Sequence, residues 1–101
     1  MNKWEKRSFT ILMDTHKGEE ERNQAGFTWE HWGVHKYRGM WVLTHLPTGM
    51  AITKRAPLRK TAQEIAEAIN HITKWDRTKE SLRNEDGLSQ RVDTVLKTHA
   101  S

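Results

Sequence analysis

The order of apolar and polar positions divides the chain into segments of different period. Ser8-Phe9-Thr10-Ile11-Leu12-Met13 is a short apolar run, partly β-branched, and predicts a strand. Residues 14–26 then hold no large apolar side chain: Gly18, Glu19-Glu20-Glu21, Asn23, Gln24 and Gly26 predict a solvated, mobile connector with nothing to bury. Phe27-Thr28-Trp29-Glu30-His31 alternates aromatic with polar, the period of a half-buried strand, before Trp32-Gly33 breaks the pattern. Met40 to Leu46 and Met50 to Lys54 flank Pro47-Thr48-Gly49. Proline presets φ for a turn and glycine closes it in the left-handed region, so residues 40–54 predict a β-hairpin. If Leu46 pairs with Met50, Thr44 lies opposite Ile52, Val42 opposite Lys54, Leu43 opposite Thr53 and Trp41 opposite Arg55, with large apolar groups on both faces.

The period then changes to that of a helix. After Pro57, Thr61-Ala62-Gln63-Glu64 has the form of a capping box, and Ile65, Ala66, Ile69 and Ile72 make one stripe that Trp75 extends, so a helix is expected over 61–75. Glu64, Glu67 and Asn70 fall outside the stripe. Asp76 to Arg83 continues or restarts this helix, and Asn84-Glu85-Asp86-Gly87 stops it. Leu88, Val92, Val95 and Leu96 predict a C-terminal helix near 88–98. The expected fold class is α+β: a small antiparallel sheet of two to four strands, built on the hairpin and covered by the 61–75 helix, in one small domain over 1–101.

Composition changes this picture in one respect. Leu, Ile, Val and Phe fill only 18 of 101 positions, so the core is thin and five Trp must supply much of it. No apolar run approaches the roughly 20 residues that span a bilayer, and Met1 to Lys6 is followed by no apolar signal-peptide region. A cytoplasmic protein without membrane partners is expected. With no Cys, disulfides, thiol catalysis and Cys-based zinc sites are excluded.

Charge is more informative by segment than in total. Residues 1–30 carry five basic and six acidic side chains, and residues 64–101 carry six and seven. Between Glu30 and Glu64 lie 33 residues with no acid and six cations, Lys36, Arg38, Lys54, Arg55, Arg59 and Lys60, joined by His31, His35 and His45. A solvated face that happens to lack acids accounts for this as well as a surface for phosphate does, until the fold is considered.

The same residues offer little for catalysis. His31 and His35 have the spacing of a helical metal pair, but strand-like flanks and Gly33 would put them about 13 Å apart, so no metal site is expected. Ser8, Ser81, Ser89 and Ser101 lie in no nucleophile elbow, and the six glycines form no phosphate-cradling loop. Glu64 and Glu67 read as a solvated helix face. So thin a core leaves scarcely room for a dry pocket, so neither an enzyme, a cofactor nor a small-molecule substrate is expected.

Aromatic and basic residues alternate from Trp29 through Trp32, Tyr37 and Trp41, with His31, His35, Lys36 and Arg38 between them. Aromatics beside cations give bases a π-face and phosphates a counterion. Trp29 and one of Trp32 and Trp41 are assigned to the core, the other being left exposed with Tyr37. Strands followed by a covering helix, with Tyr37-Arg38-Gly39, Trp41, a turn, and then Ala62, Ala66 and Ala68, resemble over residues 33–70 the DNA-binding domain of plant ethylene-response factors and the arm-binding domain of tyrosine-recombinase integrases. That resemblance implies a sheet lying in the DNA major groove, a helix packed behind it, and Arg38, Trp41 and Arg55 facing DNA. Thr44, His45 and Thr53 stand where those families more often carry arginine.

Two functions follow as expectations. The first is a small, non-catalytic nucleic-acid-binding module, regulatory or accessory, contacting nucleic acid, DNA before RNA, through Lys36, Tyr37, Arg38, Trp41, Lys54, Arg55, Arg59 and Lys60. The alternative is a protein-interaction factor, such as a phage-type inhibitor or adaptor, that docks the same surface on a larger nucleic-acid-processing enzyme.

Overall fold

The computed structural model describes residues 3–100; Met1, Asn2 and Ser101, the ends of the expected 1–101 domain, lie outside them. Five strands, β1 (Glu5–Thr15), β2 (Gly18–Trp29), β3 (Trp32–Tyr37), β4 (Met40–His45) and β5 (Met50–Ala56), precede three helices, α1 (Arg59–Ile69), α2 (Lys79–Arg83) and α3 (Leu88–Ala100). The strands form one antiparallel meander in sequence order. The α+β class is as expected, but the sheet has five strands rather than two to four.

The extra strands come from segments whose side chains gave no strand signal. Residues 14–26, expected as a connector, are the end of β1, a two-residue turn and most of β2. Their pairing with β1 runs without interruption from Glu5–Thr28 to Thr15–Gly18. A ladder is made by backbone N–H and C=O groups, so a polar stretch with no core to fill still forms a strand beside an apolar partner. In β3 the opposite holds: Trp32, Gly33, Val34 and His35 are all buried, so no alternation appears.

One face of the sheet packs on α1. Ala62, Ile65, Ala66 and Ile69 form the buried stripe of that helix and meet Trp32, Val34, Leu43 and Ala56. Trp4, Trp75 and Leu88 complete this core. Every buried indole N–H named here finds an acceptor: Trp4 Nε1 donates to Glu67 Oε2 at 3.0 Å, Trp32 Nε1 to Asn70 Oδ1 at 2.9 Å and Trp75 Nε1 to the Ile69 carbonyl at 2.9 Å.

The other face is covered by the sheet itself. A Cβ on Gly26 would stand 2.1 Å from the Val34 carbonyl oxygen, so only glycine lets β2 pass β3 there. Beyond that point the β1–β2 arm lies across the outer face. The ring of Phe9 sits edge-on to His35 at 5.9 Å, and Leu12 N–H donates to the Gly49 carbonyl at 2.9 Å. Phe9, Ile11, Val42, Thr44 and His35 are buried as a result.

The 40–54 hairpin is present, with a shifted register. His45 pairs with Met50, Thr44 with Ala51, Leu43 with Thr53 and Trp41 with Ala56. Only Leu43–Thr53 falls as the regular pairing requires, because β5 carries irregularities on both sides of it. One leaves Ile52 unpaired and the other sets Lys54 and Arg55 opposite Val42. Gly49 has φ +73°, the left-handed turn residue expected.

The covering helix also differs at both ends. It runs from Arg59 to Ile69, with extended Leu58 at its N-cap and no side chain capping it, so Thr61 lies inside the first turn rather than before it. The helix does not reach Trp75, which folds back so that its indole N–H donates to the Ile69 carbonyl at the helix end, an oxygen that also accepts from Ile72 N–H at 3.0 Å. Asp76–Arg83 restarts as the short α2, capped by Thr78. The C-terminal helix falls where its apolar spacing places it. Trp32 is the fully buried tryptophan of the aromatic run, while Trp29 and Trp41 are each half-buried.

A candidate nucleic-acid interface at one end of the sheet

The acid-free segment folds so that its six cations reach one end of the sheet. Lys36 pairs with Trp41, and Trp41 with Ala56, in one row across three strands. Arg38 occupies the two-residue β3–β4 turn beyond that row, between the paired Tyr37 and Met40. Lys54 and Arg55 fill the β5 irregularity immediately before Ala56, and Arg59 and Lys60 open α1 just after it. All six side chains are exposed, and none forms an ion pair with a described carboxylate. Charges left unpaired at this density repel one another and are available to an outside anion.

Backbone conformation helps to present them. Arg38 has φ +51° and Gly39 φ +81°, the paired left-handed geometry of a tight hairpin turn that asparagine and glycine ordinarily occupy. Leu58 is 62% exposed at the α1 N-cap, and no acidic residue lies in the first helical turn. Cations in a first turn oppose the helix dipole, so Arg59 and Lys60 are there at some cost to the helix.

The aromatic residues take different positions. Tyr37 is 43% exposed at the tip, where the Arg38 guanidinium lies 5.2 Å from its ring. Trp41, expected to face DNA, is half-buried on the α1 side against the core. Phe27, not among the residues expected at this surface, lies under the Arg59 guanidinium at 4.3 Å. Its cross-strand partner is Lys6, exposed, so a seventh cation enters the same end. Nothing local in the sequence marks Lys6; only the β1–β2 pairing brings it there.

A second concavity lies elsewhere. A cleft of about 710 Å³ separates the β4–β5 turn and β5 from α2 and α3, lined by Met50, Ile52, Trp75, Leu88 and Val92 with His45 among them. Two of its polar side chains, His45 and Glu85, are engaged. His45 Nε2–H donates to the Trp75 carbonyl at 2.6 Å, which fixes the tautomer and leaves Nδ1 to accept from the Thr48 hydroxyl at 2.9 Å. Burial pushes the His45 pKa down; the Trp75 hydrogen bond opposes this and His31 adds to it. Glu85, at the rim, is held by Thr73, Arg77 and Arg91, and those hydrogen bonds, Thr73 first, lower its pKa.

His31 lies in the β2–β3 turn and His35 in β3, and no three metal-ligating side chains gather among the described residues. No described helix is long and apolar enough to cross a membrane. Compared with protein-family models, curated proteins and solved structures, the chain matches none.

Proposed function

We propose that the protein is a small nucleic-acid-binding module whose contact surface is the end of the sheet formed by the β3–β4 turn, the end of β5 and the start of α1. The observation that carries this reading is the gathering of six exposed, unpaired cations from a segment with no acid. Surface Lys and Arg ordinarily sit among compensating carboxylates. Here compensation is absent at one place and present on both flanks of the chain. Phosphate is the anion that such an array binds with most gain, because each neutralised phosphate releases a condensed counterion.

Replacing Lys54, Arg55, Arg59 and Lys60 with Gln tests this. Affinity for DNA should fall for every sequence tried, and the slope of log K against log salt should become shallower by about 0.9 per lost phosphate contact. A wild-type Kd no tighter than the roughly 10⁻⁴ to 10⁻⁶ M of non-specific binding at physiological salt would remove nucleic acid as the main partner.

A second reading has its own observation. Leu58 and Tyr37, the exposed large hydrophobic residues of the described chain, both stand within the cationic end. Aromatic and aliphatic anchors ringed by charge also suit a protein interface. The protein would then be an inhibitor or adaptor docked on an acidic surface of a nucleic-acid enzyme, bound tightly and with a few side chains dominating the energy.

A further inference from the structure

Resting on the nucleic-acid reading, we infer that this surface takes the sugar-phosphate backbone of a duplex and reads it without base contacts, in preference to single strands. Two features of the fold support this. The first is the state of the aromatic faces. A single-strand site offers free π-faces on which successive bases stack, and that stacking offsets the cost of ordering a flexible strand. Here the aromatics near the cations already carry a cation of this chain: Arg59 lies over Phe27 at 4.3 Å, and Arg38 stands 5.2 Å from the Tyr37 ring. Trp41 is half-buried against the core. Tyr37 alone is left as an exposed ring, which is no platform for a run of bases.

The second is the state of the sheet. A sheet reads bases by laying an open face in the major groove. In this fold α1 covers one face and the β1–β2 arm covers the other, with Phe9, Ile11 and Val42 buried between. The open parts are the end and the β5 edge, where the side chains are cations on a tight turn, a strand irregularity and a helix start. The strands, the turn and the helix hold the backbone positions that carry these charges in a fixed arrangement. A stiff duplex, with one charge per roughly 1.7 Å of axis, answers that array without paying to be ordered.

The test compares fluorescently labelled random-sequence 20-base-pair DNA, its separate single strand and a second duplex of unrelated sequence, by anisotropy at two NaCl concentrations. The duplex should bind at least about fivefold more tightly than the single strand, and the two duplexes should agree within about twofold. The salt slope should approach −3.6 if four cations engage, at about −0.9 each. Lys36→Gln with Arg55→Gln should weaken duplex binding at least tenfold, while Lys97→Gln, whose side chain is paired with Asp93 on α3, should change it by less than about twofold. Equal or tighter single-strand binding, or strong preference for one duplex, overturns this inference and leaves the nucleic-acid reading standing. Absence of binding to all three overturns both, and tight salt-resistant binding to an acidic protein instead would assign the surface to that partner.

Discussion

The ring of Phe9 occupies the space that a side chain on Gly33 would need: a Cβ there would lie 2.9 Å from both Cε2 and Cζ of that ring. The contact joins the first strand to the middle of the sheet and explains why the outer face is closed. Gly33→Ala should therefore destabilise the protein by overpacking, by about 1–3 kcal/mol. In a Phe9→Leu background the same change should cost less, because the shorter side chain can yield. Additive losses in a chemical-denaturation cycle would mean that the arm does not rest on β3.

Much of this fold was legible, and the failures share a cause. The hairpin was marked by its Pro47-Thr48-Gly49 turn, though not in its register, and the Ile65–Ala66–Ile69 stripe and the Leu88–Leu96 spacing appeared on helices where their period placed them. Residues 18–26 do not bury side chains, so their strand is visible only through the backbone of β1. Helix α1 ends before Ile72, and the Trp75 indole donates to its last carbonyl, a tertiary contact that no local spacing announces. The candidate site divides in the same way. Its six cations were visible as an acid-free segment, whereas Lys6, Phe27 and the inward side of Trp41 depended on which strands pair.

The start of α1 yields a prediction about stability. Leu58 is extended, exposed and makes no side-chain cap, while Thr61 lies within the helix. Leu58→Ser should supply an acceptor for the second or third N–H and stabilise the protein by about 1 kcal/mol. Thr61→Ala should change the melting temperature little. The reverse order would restore the capping box at Thr61.

Two histidines should make the fold sensitive to mild acid. His35 is buried with Nδ1 unpartnered, and burial lowers its pKa; burial chiefly lowers that of His45 too. Both are then more readily protonated in the unfolded chain, near pH 6.5. Their contribution is complete above that value and is lost as pH falls through it, until the folded pKa values are reached. Each contributes a slope of at most about 1.4 kcal/mol per pH unit in this window. The melting temperature should hold from pH 8 to 7 and fall between pH 6.5 and 5. A flat profile across that range would show both imidazoles to be accessible to protons in the folded state.

Glu85 should act in the opposite direction of composition but the same direction of pH. It accepts from Thr73, Arg77 and Arg91, joining the segment after α1 to the start of α3. Its lowered pKa makes this junction strongest above the ordinary carboxylate range and weakens it as pH falls below. Glu85→Gln should leave the sheet intact and speed amide hydrogen exchange in residues 70–83. Exchange accelerated equally in β3 and β4 would show that the junction supports the whole fold.

The tip of the β3–β4 turn separates stability from binding. Arg38 holds a left-handed backbone that costs a branched or long side chain roughly 1 kcal/mol, with Gly39 beside it in the same region. Asparagine is favoured there, so Arg38→Asn should leave the protein as stable as before or raise its stability by up to about 1 kcal/mol. The same change removes one cation from the end of the sheet and leaves Tyr37 without the guanidinium beside its ring. If the turn contacts phosphate, DNA affinity should fall and the salt slope should become shallower by about 0.9 while the melting temperature does not drop. An Arg retained against its own backbone preference is what a binding role would require. Higher stability with unchanged affinity would place the contact surface away from the turn, on the β5 end and the start of α1.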